Sequence, residues 1–140
     1  MARLTSVQRI LAEFGPGLRL RPPAPIEALS RLGKEIGTEI PPSLAELLAF
    51  TNGLSVSDVL NIASVEEMWW HGDAGVLAIH SWGNGDWDML AIRHPSIPAG
   101  SIAFANHSPH VLVPIERSLE AWLLEAAREI GELGTLLHPF

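Results

Sequence analysis

The chain has 140 residues, 47% of them hydrophobic and 18% charged, a formal charge of −7 and no cysteine. That length suits one domain with a core of its own, and the missing cysteines exclude a disulfide framework, a thiolate nucleophile and a Cys-based zinc site. No stretch nears the roughly 18 apolar residues that span a bilayer, and the first residues lack a signal-peptide hydrophobic run, so a cytoplasmic protein without membrane contact is expected.

The charge is unevenly spread. Residues 1–34 hold six basic groups against Glu13 and Glu27, whereas residues 35–140 hold fourteen acidic groups against Arg93, Arg117 and Arg128. An acidic surface disfavours nucleic acid and suits a basic partner. It equally serves plain solubility.

Thr5-Ser6-Val7-Gln8 has the form of a capping box, and Val7, Ile10, Leu11 and Phe14 follow at helical spacing. Gly15-Pro16-Gly17 stops that helix, and residues 18–25 (LRLRPPAP) read as an extended connector. Pro25 opens a second helix with Ile26, Leu29, Leu32 and Ile36 on its stripe. Ser43-Leu44-Ala45-Glu46 is a second capping box, with Leu44, Leu47, Leu48 and Thr51 on one face and Asn52-Gly53 as a left-handed stop. Residues 59–62 suit a short strand. Ser64-Val65-Glu66-Glu67 predicts one or two helical turns through Trp70. Strands are then expected over 76–82, 87–93, 101–106 and 111–113, and Ser118 caps a last helix with Leu119, Trp122, Leu123, Ala126, Ile130 and Leu133 on its stripe. This order predicts an α+β fold: N-terminal helices, a central antiparallel sheet of four to five strands, and a C-terminal helix packed on it.

With Asn84-Gly85 as a two-residue turn, outward counting pairs Ile79 with Leu90 and Leu77 with Ile92 on an aliphatic, buried face. It pairs Trp82 with Trp87, His80 with Met89, Ala78 with Ala91 and Val76 with Arg93 on the other, with His80 and Arg93 the more exposed. That second face is either a cross-strand aromatic brace or a recognition platform, because tryptophan is enriched at binding hot spots. The candidate partner-binding residues are Trp82, Trp87, Asp86, Asp88 and His80, with Trp70 from Trp69-Trp70-His71 beside them. Asp86 and Asp88 could bind a cation or do acid–base work, but no further ligands follow at a recognised spacing, and Asp beside Gly is ordinary turn chemistry. His107-Ser-Pro-His110 with His80 is a similarly poor zinc pattern. Neither a P-loop nor a nucleophile elbow is present. No catalytic residue, metal or cofactor is expected.

Residues 26–54, 83–92 and 115–127, in that order, resemble the SUKH superfamily, which includes fungal cell-wall-assembly regulators and bacterial toxin-immunity proteins. Residues 26–54 (IEALSRLGKEIGTEIPPSLAELLAFTNGL) are similar to its helix, Gly, apolar-Pro step, second helix and Asn-Gly. Residues 83–92 (GNGDWDMLAI) are similar to its Gly-Asp-aromatic turn and strand, and residues 115–127 (IERSLEAWLLEAA) to its closing helix. Ala91 stands where an acidic residue is common, Met89 where a small one is, and Trp82 is outside the signature. Ser43, Asn52, Gly53, Gly85 and Asp86 fall on the motifs as structural residues. The resemblance implies a single domain over residues 1–140, with a family-like core at 26–130 behind an N-terminal helix and connector at 1–25. It further implies a non-catalytic protein-binding module: an immunity protein that neutralises a toxin, such as a basic nuclease domain, by binding it. The alternatives are a regulatory scaffold of the same fold and, more weakly, a small metal-dependent hydrolase using Asp86, Asp88 and His80.

Overall fold

Apolar residues at helical spacing and short β-branched runs produce four helices and an antiparallel sheet. The computed structural model describes residues 6–107 and 110–139, so Thr5 of the first capping box and the Ser108-Pro109 step lie outside the described residues. Helix α1 (Ser6–Leu11) runs into a 3-10 turn (Ala12–Gly17) and buries Val7, Ile10, Leu11 and Phe14. Strand β1 (Leu18–Leu20) leads through the prolines to α2 (Ile26–Ile36) and α3 (Pro42–Phe50). Five strands come next: β2 (Leu54–Val56), β3 (Leu60–Ile62), β4 (Trp69–His71), β5 (Val76–Ser81) and β6 (Trp87–Ala91). Finally β7 (Ile102–His107) and β8 (His110–Glu116) lead to α4 (Leu119–Leu133), whose first turn is capped by the Ser118 hydroxyl accepting from Ala121 N at 3.0 Å.

The α+β order holds, but the sheet has eight strands rather than four to five, in the order β1-β2-β3-β5-β6-β7-β8 with β4 also paired to β5. The additional strands, β1, β2 and β4, have three residues each. Three residues are too few to display an alternation, and tertiary pairing makes them strands. The expected helix after Ser64 is a single turn closed by Met68 N on Ser64 O, after which Trp69 begins β4.

Two caps also differ from expectation. Helix α3 starts two residues early, at Pro42, so Ser43 is inside the helix and its hydroxyl donates to Glu120 Oε1 on α4 at 2.7 Å. At its other end Thr51 is extended and only Gly53 has a positive φ, +88°. Asn52 instead fastens the Ser64 turn, its side-chain oxygen accepting from Val65 N at 2.8 Å.

All four helices share one face of the sheet. There Leu44, Leu47, Leu48, Leu54, Ile62, Leu77, Ile79, Leu90, Ile102 and Leu123 form the main core, each at most 1% exposed. Ile92 belongs to the same core, and Arg93 is exposed, as the pattern predicts. The Arg93 side chain turns back to cap α2, donating to Ile36 O at 2.6 Å with its guanidinium 4.9 Å from the Trp70 ring. The stripes end sooner than expected, since Ile26 is 80% and Leu133 52% exposed.

A Cβ on Gly53 would stand 2.7 Å from Ile62 O and 2.9 Å from Ser64 N, whereas one on Gly131 of α4 would meet no atom within 4 Å. Urea denaturation should therefore separate two changes of one type. Gly53→Ala is expected to cost about 2 kcal/mol or more, and Gly131→Ala to stabilise by about 0.5–1 kcal/mol.

Candidate functional site

The hairpin of β5 and β6 positions the residues of interest, and its register decides where each points. Leu77 pairs with Leu90 and Ala78 with Met89, then the register shifts by one, so His80 pairs with Asp88 and Ser81 with Trp87. The loop is accordingly Gly83-Asn84-Gly85 rather than a two-residue turn, closed by Trp82 N on Asp86 O at 3.1 Å. Asn84 shapes it by accepting from Asp86 N at 3.0 Å, and Gly83 and Gly85 supply positive φ. Gly85 has a second reason to lack a side chain: a Cβ there would lie 3.1 Å from His107 Cγ.

The irregularity falls at Ile79. Ile79 and His80 both turn toward the helices, and every residue after them changes face. Trp82 therefore packs on the helix-side core while Trp87 stays on the opposite face, so the expected Trp82–Trp87 pair does not form. His80, expected to be exposed, is 0% exposed, as is Asp88, and Asp86 is 2% exposed.

The predicted residues thus divide into two sites. The first is a buried polar network beneath α4. Asp88 Oδ2 accepts from His80 Nδ1 at 2.8 Å and from Trp82 Nε1 at 2.9 Å. The His80 ring stands 5.3 Å from Trp82 and 5.2 Å from Trp122. Among the described residues, His80 Nε2 and Asp88 Oδ1 have no hydrogen-bond partner. Next to this, Asp86 Oδ1 accepts from the His107 amide at 2.8 Å and from its Nδ1 at 2.5 Å, while Oδ2 accepts from His138 Nε2 at 2.8 Å. Burial alone would raise the Asp86 pKa, but hydrogen bonds from the His107 amide, the His107 ring and the His138 ring outweigh it and hold the carboxyl well below the usual carboxylate range. Asp86 is more than a turn residue: it ties the hairpin loop, the end of β7 and the C-terminal segment together.

The second site lies on the helix-free face. Alanines occupy adjacent strands there, with Ala78, Ala91, Ala103 and Ala105 between taller neighbours. One rung runs Trp87–Ala105–Leu112 across β6, β7 and β8, so the alanine is the floor and the flanking side chains are walls. Ile97 covers one end of this face. At the other end an open groove of about 400 Å3 remains, walled by Trp69, Trp87, Met89, Val111 and Leu112 and edged by His71 and His107. Trp69 meets Trp87 edge to face at 6.2 Å and is 39% exposed. The tryptophan that joins Trp87 is Trp69, whereas Trp70, the predicted member, packs on the helix-side core under Arg93.

Sequence reasoning does not bring His107, His138 and Phe104 to the hairpin, because each arrives from distant sequence. One signal does bear on the faces: Asp86, Asp88 and Leu90 alternate along β6, so an inward Leu90 carries both carboxylates inward. Among the described residues, no group of three or more His, Asp or Glu side chains is placed to hold a metal ion, and no helix is long and apolar enough to cross a membrane. Asp86 and Asp88 serve separate clusters rather than a shared centre. Comparison with protein-family models finds no match, and comparison with curated proteins finds none of significance.

A carboxyl whose folded-state pKa is depressed contributes its full stability above its unfolded value, here 3.8, and loses it as pH falls toward the folded value. Urea denaturation at steps from pH 7 to 2.5 should show stability falling below about pH 4. Asp86→Asn should be less stable at pH 7 and should flatten that acid limb. An unchanged limb would place the acid sensitivity on other carboxylates.

Proposed function

We propose that the chain is a non-catalytic protein-binding module, an immunity-type protein of the SUKH kind that neutralises a toxin domain by direct contact through the helix-free face of its sheet. The observation that carries this reading is the open groove at Trp69 and Trp87, an apolar concavity on the broad sheet surface opposite the helices. Large exposed apolar features on a sheet mark interaction surfaces, and tryptophan is a side chain enriched among the anchors found in them. The resemblance in residues 26–54, 83–92 and 115–127 supports the class of protein.

Charge supports the class of partner. Of the sixteen acidic residues, fourteen lie beyond residue 34, and the groove's described lining contains none of them. The partner that fits is a domain with a basic surface, drawn by the acidic body, that seats an apolar side chain in the groove. In this arrangement affinity comes from desolvating the tryptophans and encounter rate from the distant charges. The carboxylates Asp86 and Asp88 and the ring of His80 contribute by holding the hairpin, since they are buried on the opposite side of the sheet.

The test uses a cognate partner domain, to be sought first among products of genes adjacent to the one encoding this chain. In calorimetry, Trp87→Ala should weaken binding at least tenfold, which is about 1.4 kcal/mol or more, with an unchanged far-UV spectrum, and Trp69→Ala should act in the same direction. Ile26→Ala, on an exposed α2 position, is the control and should bind normally. Association should slow as salt is raised. Normal binding by Trp87→Ala would remove the groove from the interface.

A further inference from the structure

The segment after α4 folds back onto the body, with Leu136 joining the edge of the helix-side core. Helix α4 ends at Gly134 with φ +74°, and the chain then turns back along the helix. Contacts along its length hold it. Leu136 is buried at 8% exposure, Leu137 N donates to Glu129 Oε1 at 2.9 Å, and His138 Nε2 donates to Asp86 Oδ2 at 2.8 Å. The His138 ring sits in an aromatic corner, 4.9 Å from Trp82 and 4.8 Å from Phe104, both near perpendicular. Leu136 and Pro139 close one side of a cavity of about 190 Å3 whose other side includes Trp82, Trp122 and Glu129.

Each receiving group also has partners outside the segment. Asp86 Oδ1 is fixed by the His107 amide and ring, which leaves Oδ2 facing the segment. Trp82 is fixed from below by its indole bond to Asp88, and Phe104 is fully buried on β7. Such a corner is pre-organised for its ligand, the condition under which a short segment binds with least ordering of the receptor. Its charge is one-sided: Asp86 is held ionised, and Glu116, Glu125 and Glu129 surround the cavity. The neighbouring cation, Arg128, is engaged by Glu125 and Glu132.

We propose that this corner is a peptide-docking site which the chain's own C-terminal segment occupies in cis. A segment of a protein partner takes its place when it presents an aliphatic side chain and, two residues on, a histidine or arginine, the pattern of Leu136 and His138. The imidazole or guanidinium N–H replaces that of His138 on Asp86, its flat group stands edge to face with the Trp82 and Phe104 rings as His138 does, and the aliphatic group fills the Leu136 position. The covered site is self-inhibited, since a tethered ligand competes at high effective concentration. It lies on the helix side of the sheet, away from the groove at Trp69 and Trp87, so its test stands apart from the proposed function.

The experiment uses full-length protein and a synthetic peptide of residues 134–140, followed by the indole N–H resonance of Trp82. His138→Ala frees the corner, so the peptide should shift that resonance saturably, with wild type binding at least tenfold more weakly. Leu136→Ala loosens the segment at its other anchor and should give the same ordering. A peptide with arginine in place of its histidine should bind to His138→Ala, and one with glutamate there should not. A flat response in both variants, equal affinity of variants and wild type, or equal binding of the glutamate peptide would overturn the proposal.

Discussion

A carboxylate with no solvent exposure governs this structure. Asp88 lies on the helix side of β6 in phase with Leu90, and a buried charge is tolerated only where donors reach it. Both donors, His80 Nδ1 and Trp82 Nε1, come from β5 and the residue directly after it. For His80 and Trp82 to stand on the same face as Leu77 and Ile79, the strand must change phase by one residue, and the register shift between Ala78 and His80 is that change. The same shift divides the far edge of β5. Before it, Trp69, Trp70 and His71 of β4 pair with Ala78, Leu77 and Val76. After it, Ile62 of β3 pairs with His80, and Ile79 O accepts from Ala63 N. One strand thereby serves two neighbours on one side, and the eight-stranded order results.

The second consequence is a separation of chemistry between the two faces. Asp86, Asp88, His80 and His138 all gather on the helix side, where Trp82, Trp122 and Phe104 enclose them. What remains for the other side of β5 to β8 is mostly alanine, methionine, valine, leucine and Trp87. A face of that composition is hollow where alanines adjoin and raised where Trp69, Trp87 and Leu112 stand, and so forms a groove. The Asp86 bonds then hold the rim, because His107, which edges the groove, is the residue whose amide and ring that carboxylate grips from the opposite face.

Much of this is legible in the sequence, and the failures have a common cause. The apolar stripes of α1, α3 and α4, the Ser118 cap, the outward turn of Trp87 and Met89, and the burial of Leu77, Ile79, Leu90 and Ile92 follow from periodicity alone. The three residues of β1 and of β4 show no readable period, so β1 reads as a connector and the Trp69-Trp70 strand as part of a helix. The bulge is invisible to counting, because a strand that changes phase has the composition of one that does not. Uninterrupted alternation puts His80 on the wrong face and Trp82 with it, and the platform acquires buried residues in place of Trp69. Neither His107 nor His138 can be joined to Asp86 from sequence, because those contacts span 21 and 52 residues.

Under the proposed function, separating the charges from the groove would also set how the surface discriminates among partners. An apolar hollow selects by shape, and a missing or added methylene in such a pocket changes affinity only modestly. Acidic side chains spread over the body select by rate and by sign, with little demand on geometry. Neither alone gives high specificity, but under the proposed function the two together would select a partner that is basic over a broad area and apolar at one point. A surface built from charged pairs within the groove would have left buried carboxylates uncompensated whenever the partner was absent. Here the carboxylates near the hairpin already have their donors inside the protein, so the groove stands open without that cost.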